Sequence, residues 1–189
     1  MVGSHAFDCC ATVNRAVVSG DLVMGLRWDL HESLSGPTTG PANLDAACVL
    51  LDIRDRPVEL VHPGNTRSSN GSVVHTGDST SGASAWDDER IFVFLDALPE
   101  EVVTLAFTVR SVTEHVFGDI QAASWHLSDA TTDCVYRQGH LQRYGYVTAR
   151  CVATLCRRPA GWYIPELTEA GSIAVAAEAL MRELPDRTK

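Results

Sequence analysis

The chain has 189 residues, enough for one domain with a real hydrophobic core. Hydrophobic residues make up 45% and charged residues 21%, the balance of a soluble globular protein rather than a disordered one. Fifteen basic residues against 24 acidic ones give a net charge of −9, which argues against a nucleic-acid surface and suits a protein that attracts cations. No apolar run approaches the roughly 20 residues needed to span a bilayer. The N-terminal Met1-Val-Gly-Ser-His-Ala-Phe-Asp-Cys-Cys10 lacks a basic stretch followed by an apolar core, so no signal peptide is expected and the expected compartment is the cytoplasm. The six cysteines, Cys9, Cys10, Cys48, Cys134, Cys151 and Cys156, then read as thiols. Cys48, Cys134 and Cys151 lie in apolar or alternating runs and are expected to be buried. No Cys-x-x-Cys occurs, which disfavours a zinc ribbon.

In chain order the pattern is mostly β. Residues 1–19 read as an N-terminal extension or a first strand, and 20–185 as a single domain. Residues 22–30 form an apolar run ending in alternation, a strand; 33–43, rich in Gly, Pro, Ser and Thr, form a loop. A buried strand is expected over 46–53, a turn over 54–57, a strand over 58–61 and a loop over 62–72. Residues 91–95 and 102–109 are the clearest strands, joined by Asp96-Ala-Leu-Pro99. Residues 124–128 and 134–136 flank a Ser/Asp/Thr turn and read as a hairpin. A long strand over 144–155 turns back at 157–161 into 162–164. Ile173, Ala176, Ala177, Leu180, Met181 and Leu184 then repeat at helical spacing, with Ser172 placed to cap the helix and Pro185 to stop it. Many short strands with one amphipathic helix predict a two-sheet β-sandwich carrying a C-terminal helix.

The chemistry concentrates in one segment. Asp78, Asp87, Asp88 and Glu89 fall within twelve residues that contain no Lys or Arg, with Gly77 and Gly82 loosening the chain beside them. Carboxylates crowded to 4 Å repel by about 1 kcal/mol per pair in water and roughly 4 at an effective dielectric of 20. Such acids are either splayed into solvent, keeping a strand edge soluble, or held by a counterion. Hard divalent cations take six to eight oxygens from carboxylates, carbonyls and water, so Ca²⁺ is the natural candidate.

The histidines are scattered, with no spacing that suggests a zinc site. Gly-x-Ser-x-Gly, Gly-x-x-x-x-Gly-Lys-[Ser/Thr] and Gly-x-Gly-x-x-Gly are all absent, so neither a nucleophile elbow nor a standard nucleotide-binding loop is present. Trp28, Trp125 and Trp162 read as core; Trp86, inside the acidic segment, either caps a site or lies exposed as a contact for a partner.

Asn70-Gly-Ser-Val-Val-His-Thr-Gly-Asp78 followed by Asp87-Asp-Glu89 resembles the signature of the TerD family of tellurium-resistance and stress proteins. Gly25-Leu-Arg-Trp-Asp29, Asn43-Leu-Asp-Ala46, Leu98-Pro99, Phe117-Gly118 and Gly161-Trp162 match weaker family features in the same order, so that the resemblance runs from about residue 20 to 180. It implies a non-catalytic β-sandwich that binds Ca²⁺ and acts as a binding or scaffold module in a bacterial stress response. It also implies protein partners in resistance complexes that can be membrane-associated. Carried over residue by residue, Asp78, Asp87, Asp88 and Asp45 are the leading ligands, with Glu89 and Asn43 behind them; Asp45 is expected to arrive on the loop after Asn43. The family usually offers carboxylates where this chain has Asn43, Ala83 and Ala85, so one weak Ca²⁺ site is expected rather than two. Two other readings stand beside this one: a divergent interaction module that has lost cation binding, and a hydrolase built on a β-sandwich.

Overall fold

A computed structural model of the protein describes residues 17–18, 20–29, 40–80, 82, 86–120, 122–166 and 171–184. Among the described residues, eleven strands are β1 (Val17–Val18), β2 (Leu22–Arg27), β3 (Leu44–Leu51), β4 (Pro57–Val61), β5 (Val73–His75), β6 (Glu89–Val93), β7 (Thr104–Ser111), β8 (Ser124–Asp129), β9 (Val135–His140), β10 (Ala149–Arg158) and β11 (Gly161–Tyr163). They form a six-stranded sheet in the order β1-β11-β10-β7-β3-β4 and a five-stranded sheet in the order β5-β6-β2-β8-β9. All pairings are antiparallel. One helix, α1 (Gly171–Glu183), follows. This is the predicted two-sheet sandwich with a C-terminal helix.

The two sheets face each other across one core. Leu22, Met24, Leu26 and Ile91 project inward from one sheet, and Leu44, Cys48, Leu50, Phe107 and Leu155 from the other, all at most 1% exposed. Burying each large side chain contributes about 1.5–3 kcal/mol. β3 and β7 are buried at every position because they are covered twice. Their second faces carry Val49, Leu51 and Ala106, which pack with Cys151 of β10 against Ala177, Leu180 and Ile173 of α1. A strand covered on both faces needs continuous apolar sequence, whereas β6, covered on one, alternates buried and half-buried residues. A bulge between Cys151 and Ala153 turns Cys151 toward the helix and returns Val152 and Ala153 to the sandwich core.

Several boundaries differ from the sequence expectation. β3 starts at Leu44, so Asp45 stands in a strand rather than a loop. β6 starts at Glu89, two residues before the apolar run, because Glu89 fills a buried position. β7 and β10 are displaced toward the C-terminus, and Tyr144, expected to open the long strand, instead ends a short 3₁₀ turn, Leu141–Tyr144. β5 is a three-residue strand inside the Asn70–Asp78 motif that no apolar run announces. Ser172 is the second residue of α1 rather than its cap. Pro185, Cys9, Cys10, Ala83, Ala85 and most of the 33–43 loop lie outside the described residues. Cys48 and Cys151 are buried, but Cys134 is only half-buried at the hairpin turn. No helix among the described residues is long and apolar enough to cross a membrane.

Candidate metal centre

Three segments converge at one end of the sandwich. Asp45 comes from the start of β3, Asp78 from the loop after β5, and Glu89 from the start of β6. One carboxylate oxygen from each lies within 4.8 Å of the others. Asp45 and Glu89 are buried, and Asp78 is exposed. Glu89 points into the sandwich, where its Oε2 accepts the Ala46 N–H at 2.7 Å and its Oε1 accepts the Ser79 N–H at 3.3 Å. Burial pushes the Glu89 carboxyl above its usual range, and nearby Asp45 pushes the same way; His75 and the Ala46 N–H pull it back. Burial likewise raises Asp45, with Asp78 adding to the rise and Arg110 opposing it. Crowding and desolvation therefore disfavour the ionised forms, the condition that a bound cation reverses.

Two buried polar atoms at this end lack a hydrogen-bond partner. One is Asn43 Oδ1, whose backbone N–H donates to Thr113 Oγ1 at 3.0 Å. Asn43 lies just before β3, two residues ahead of Asp45. The other is His75 Nε2, 3.4 Å from Glu89 Oε2 without hydrogen-bond alignment. His75 Nδ1 accepts the Gly77 N–H at 2.9 Å, which fixes the imidazole as the pin of the loop that carries Asp78. The three carboxylates are hard oxygen donors that could hold a metal ion, and they suit a hard cation better than zinc.

The remaining predicted ligands stand elsewhere. Asp87 lies on the outer face of the five-stranded sheet. There it accepts bonds from His126 Nε2 at 3.2 and 3.3 Å and from Arg90 Nε at 2.9 Å. Burial works to raise its pKa, but these two partners prevail and hold the carboxyl below its usual value. Gly25 is required beneath them: a Cβ there would sit 2.2 Å from His126 Nε2 and 2.7 Å from Asp87 Cγ. Asp88 Oδ2 accepts the Trp28 N–H at 2.9 Å, bracing the end of β2. Gly82, at φ +54°, rests on the Trp28 indole, where a Cβ would meet Nε1 at 2.4 Å.

The outer face also bears an open groove of about 1120 Å³, lined by Arg27, Asp78, Trp86, Asp87, Arg90 and His126. Trp86 is 75% exposed, whereas Trp28, Trp125 and Trp162 are core. Ser128 Oγ lies 3.0 Å from His126 Nδ1, so Ser128, His126 and Asp87 form a hydrogen-bonded line. Ser128 is 2% exposed, however, and such a hydroxyl is poorly placed to meet a substrate carbonyl. Arg110 escaped the sequence reading. It stands opposite Asp45 across β3 and β7 and donates from Nε at 3.3 Å and Nη2 at 3.2 Å to Asp45 Oδ2. Sixty-five residues separate the two, and no local pattern couples them.

Comparison with known proteins agrees with this architecture. The TerD domain family matches residues 14–174. The tellurium resistance protein TerZ of Serratia marcescens is 34% identical over 154 residues, covering 79% of each chain. General stress protein 16U of Bacillus subtilis is 27% identical over 149 residues, covering 75% of this chain and 76% of its own. A crystal structure of a homologue of telluride resistance protein (TerD) from Streptomyces coelicolor shares the fold with a TM-score of 0.66 at 21% identity, over 78% of this chain and 87% of that one. With its sandwich, its ordered motifs and a match across most of its length, the chain belongs to the TerD domain family.

Proposed function

We propose that this protein is a non-catalytic, cation-linked module of a stress or tellurium-resistance response, in which a Ca²⁺-type ion ties the sandwich end together and presents the adjoining groove to a protein partner. The observation that carries this reading is the convergence of Asp45, Asp78 and Glu89 from three separate segments, two of them buried, within 4.8 Å. Asn43, two residues before Asp45, has a buried side-chain oxygen without a hydrogen-bond partner. The ion would be held by these residues and would neutralise charge that burial otherwise disfavours. The names of the relatives support the stress and tellurium context. A cytoplasmic location and partners in a stress complex, including membrane-associated ones, belong to the same proposal.

The site is expected to be weak, in the roughly 10⁻⁵–10⁻³ M range, because the Arg110 guanidinium already offsets part of its charge. Calorimetry with Ca²⁺ on metal-stripped protein tests this directly. In thermal melts, Ca²⁺ at a hundredfold excess over the dissociation constant should stabilise the protein by about 2.7 kcal/mol. Asp78→Asn should remove that gain and leave the metal-free melting temperature unchanged or slightly higher, since Asp78 is exposed and repels Asp45. Coincident melting curves in chelator and in about 10 mM Ca²⁺, above the weak-site range, would refute cation binding. A second reading would then apply, an interaction module without an ion; the exposure of Trp86 at the groove favours it.

A further inference from the structure

Asp45 is shared between two claims. Toward Asp78 and Glu89 it is part of the carboxylate cluster. Toward Arg110 it is half of a buried ion pair, with side chains 5% and 7% exposed. The same guanidinium continues to the helix: Arg110 Nη1 donates to Met181 O at 3.3 Å and to Leu184 O at 2.8 Å. Met181 lies in the last turn of α1 and Leu184 just after it, where Met181 O also accepts the Leu184 N–H at 3.4 Å. Arg110 therefore clamps the C-terminal end of α1 to the sheet, and Asp45 holds the clamp in place. Arginine does not deprotonate in proteins, so the clamp carries a standing positive charge.

We infer that cation binding and docking of α1 oppose each other through Arg110. This inference rests on the cation reading given above. A divalent ion on Asp45 draws the carboxylate's charge away from the guanidinium and places a second positive charge beside it. The attraction that orients Arg110 toward the helix carbonyls weakens, and the end of α1 loosens. By linkage the reverse holds with the same factor: a protein whose helix has undocked frees Arg110 to move away from Asp45 and binds the cation more tightly. The surface uncovered is the apolar strip of Val49, Leu51, Ala106 and Cys151, now covered by Ala177 and its neighbours. The device would turn cation occupancy into exposure of an apolar sheet face.

Two cysteines provide the readout. Cys151 lies beneath α1, and its N–H donates to Glu178 Oε1 of the helix at 3.0 Å. Burial pushes its thiol up to about 12, so a docked helix suppresses labelling by both exclusion and charge. Cys48 is also fully buried but belongs to the core between the sheets, and reports global opening. The experiment labels native, metal-stripped protein with a thiol reagent, with and without Ca²⁺, and maps modification by peptide mass. Ca²⁺ binding is measured by calorimetry in parallel. The expected result is Cys151 labelling accelerated by about fivefold or more, the lower end of typical site-to-site couplings, while Cys48 labelling slows or stays constant. Ala177→Asp, which puts a charge into the helix–sheet seam, should speed Cys151 labelling without Ca²⁺ and lower the half-saturating Ca²⁺ concentration. Measurable Ca²⁺ binding with unchanged or slower Cys151 labelling would overturn the coupling and leave the cation site standing. Absence of Ca²⁺ binding in the calorimeter would overturn both. If Ala177→Asp does not fold, the wild-type labelling comparison decides alone.

Discussion

At the residue scale, acids adjacent in sequence meet different partners. Asp87, Asp88 and Glu89 are consecutive, yet Asp87 meets His126 and Arg90 outside the sheet, Asp88 caps the Trp28 N–H, and Glu89 enters the sandwich. Only Glu89 stands in β6; Asp87 and Asp88 lie in the irregular chain just before it, which aims the three carboxylates at three different sets of partners. The Asp87–His126 pair depends on the empty space at Gly25. Gly25→Ala should therefore force the pair apart and cost about 1–3 kcal/mol, the usual range for overpacking a tight contact. Urea unfolding measures it. An unchanged midpoint would show that the two side chains relax freely and that Gly25 is not needed for the pair.

At the element scale, α1 completes the six-stranded sheet by covering its second face. Met181 is fully buried at the end of the helix that Arg110 grips. Met181→Ala removes packing and leaves a cavity, and should cost about 2–5 kcal/mol. Because α1 lies outside the core between the sheets, amide exchange in the variant should rise first over α1 and the facing parts of β7 and β10, with β2 and β6 protected longest. Uniform loss of protection across both sheets would show that the helix is part of the same cooperative unit. The helix was legible from its spacing, since its apolar positions repeat every three to four residues. The double covering of β3 and β7 was visible only as uninterrupted apolar sequence, which is consistent equally with a buried helix segment.

For the whole molecule, the pH dependence of stability follows from the buried acids. Burial raises the carboxyls of Asp45 and Glu89, so the folded metal-free protein holds protons at these sites that the unfolded chain has released. Stability then falls as pH rises above the ordinary carboxylate range through the raised values, and metal-free protein should gain stability as pH drops back through that window. Asp87 acts in the opposite sense. His126 and Arg90 depress it against its own burial, so its contribution is present above the ordinary aspartate value and is lost only in stronger acid. Glu89→Gln isolates the first effect: wild type should gain on the variant as pH falls across that window in chelator. Parallel stability curves for the two proteins would refute it. Ca²⁺, which favours the ionised carboxylates, should flatten the wild-type curve.

The sequence by itself determined the sandwich, the terminal helix and the family. These are local signals: apolar runs, turn residues, helical spacing and the Asn70–Asp78 and Asp87–Glu89 motifs. Only the tertiary structure decided which acids meet. Asp45, Asp78 and Glu89 come from β3, a loop and β6, and their proximity depends on strand order and register that no local window contains. Arg110 shows the same limit from the basic side. It reads as an ordinary residue near the end of an apolar strand, yet its register opposite Asp45 and beneath the last turn of α1 makes it the junction between the carboxylates and the helix. Side-chain periodicity says which face a residue occupies; pairing across sheets and between layers, set by packing of the whole core, says what it faces there.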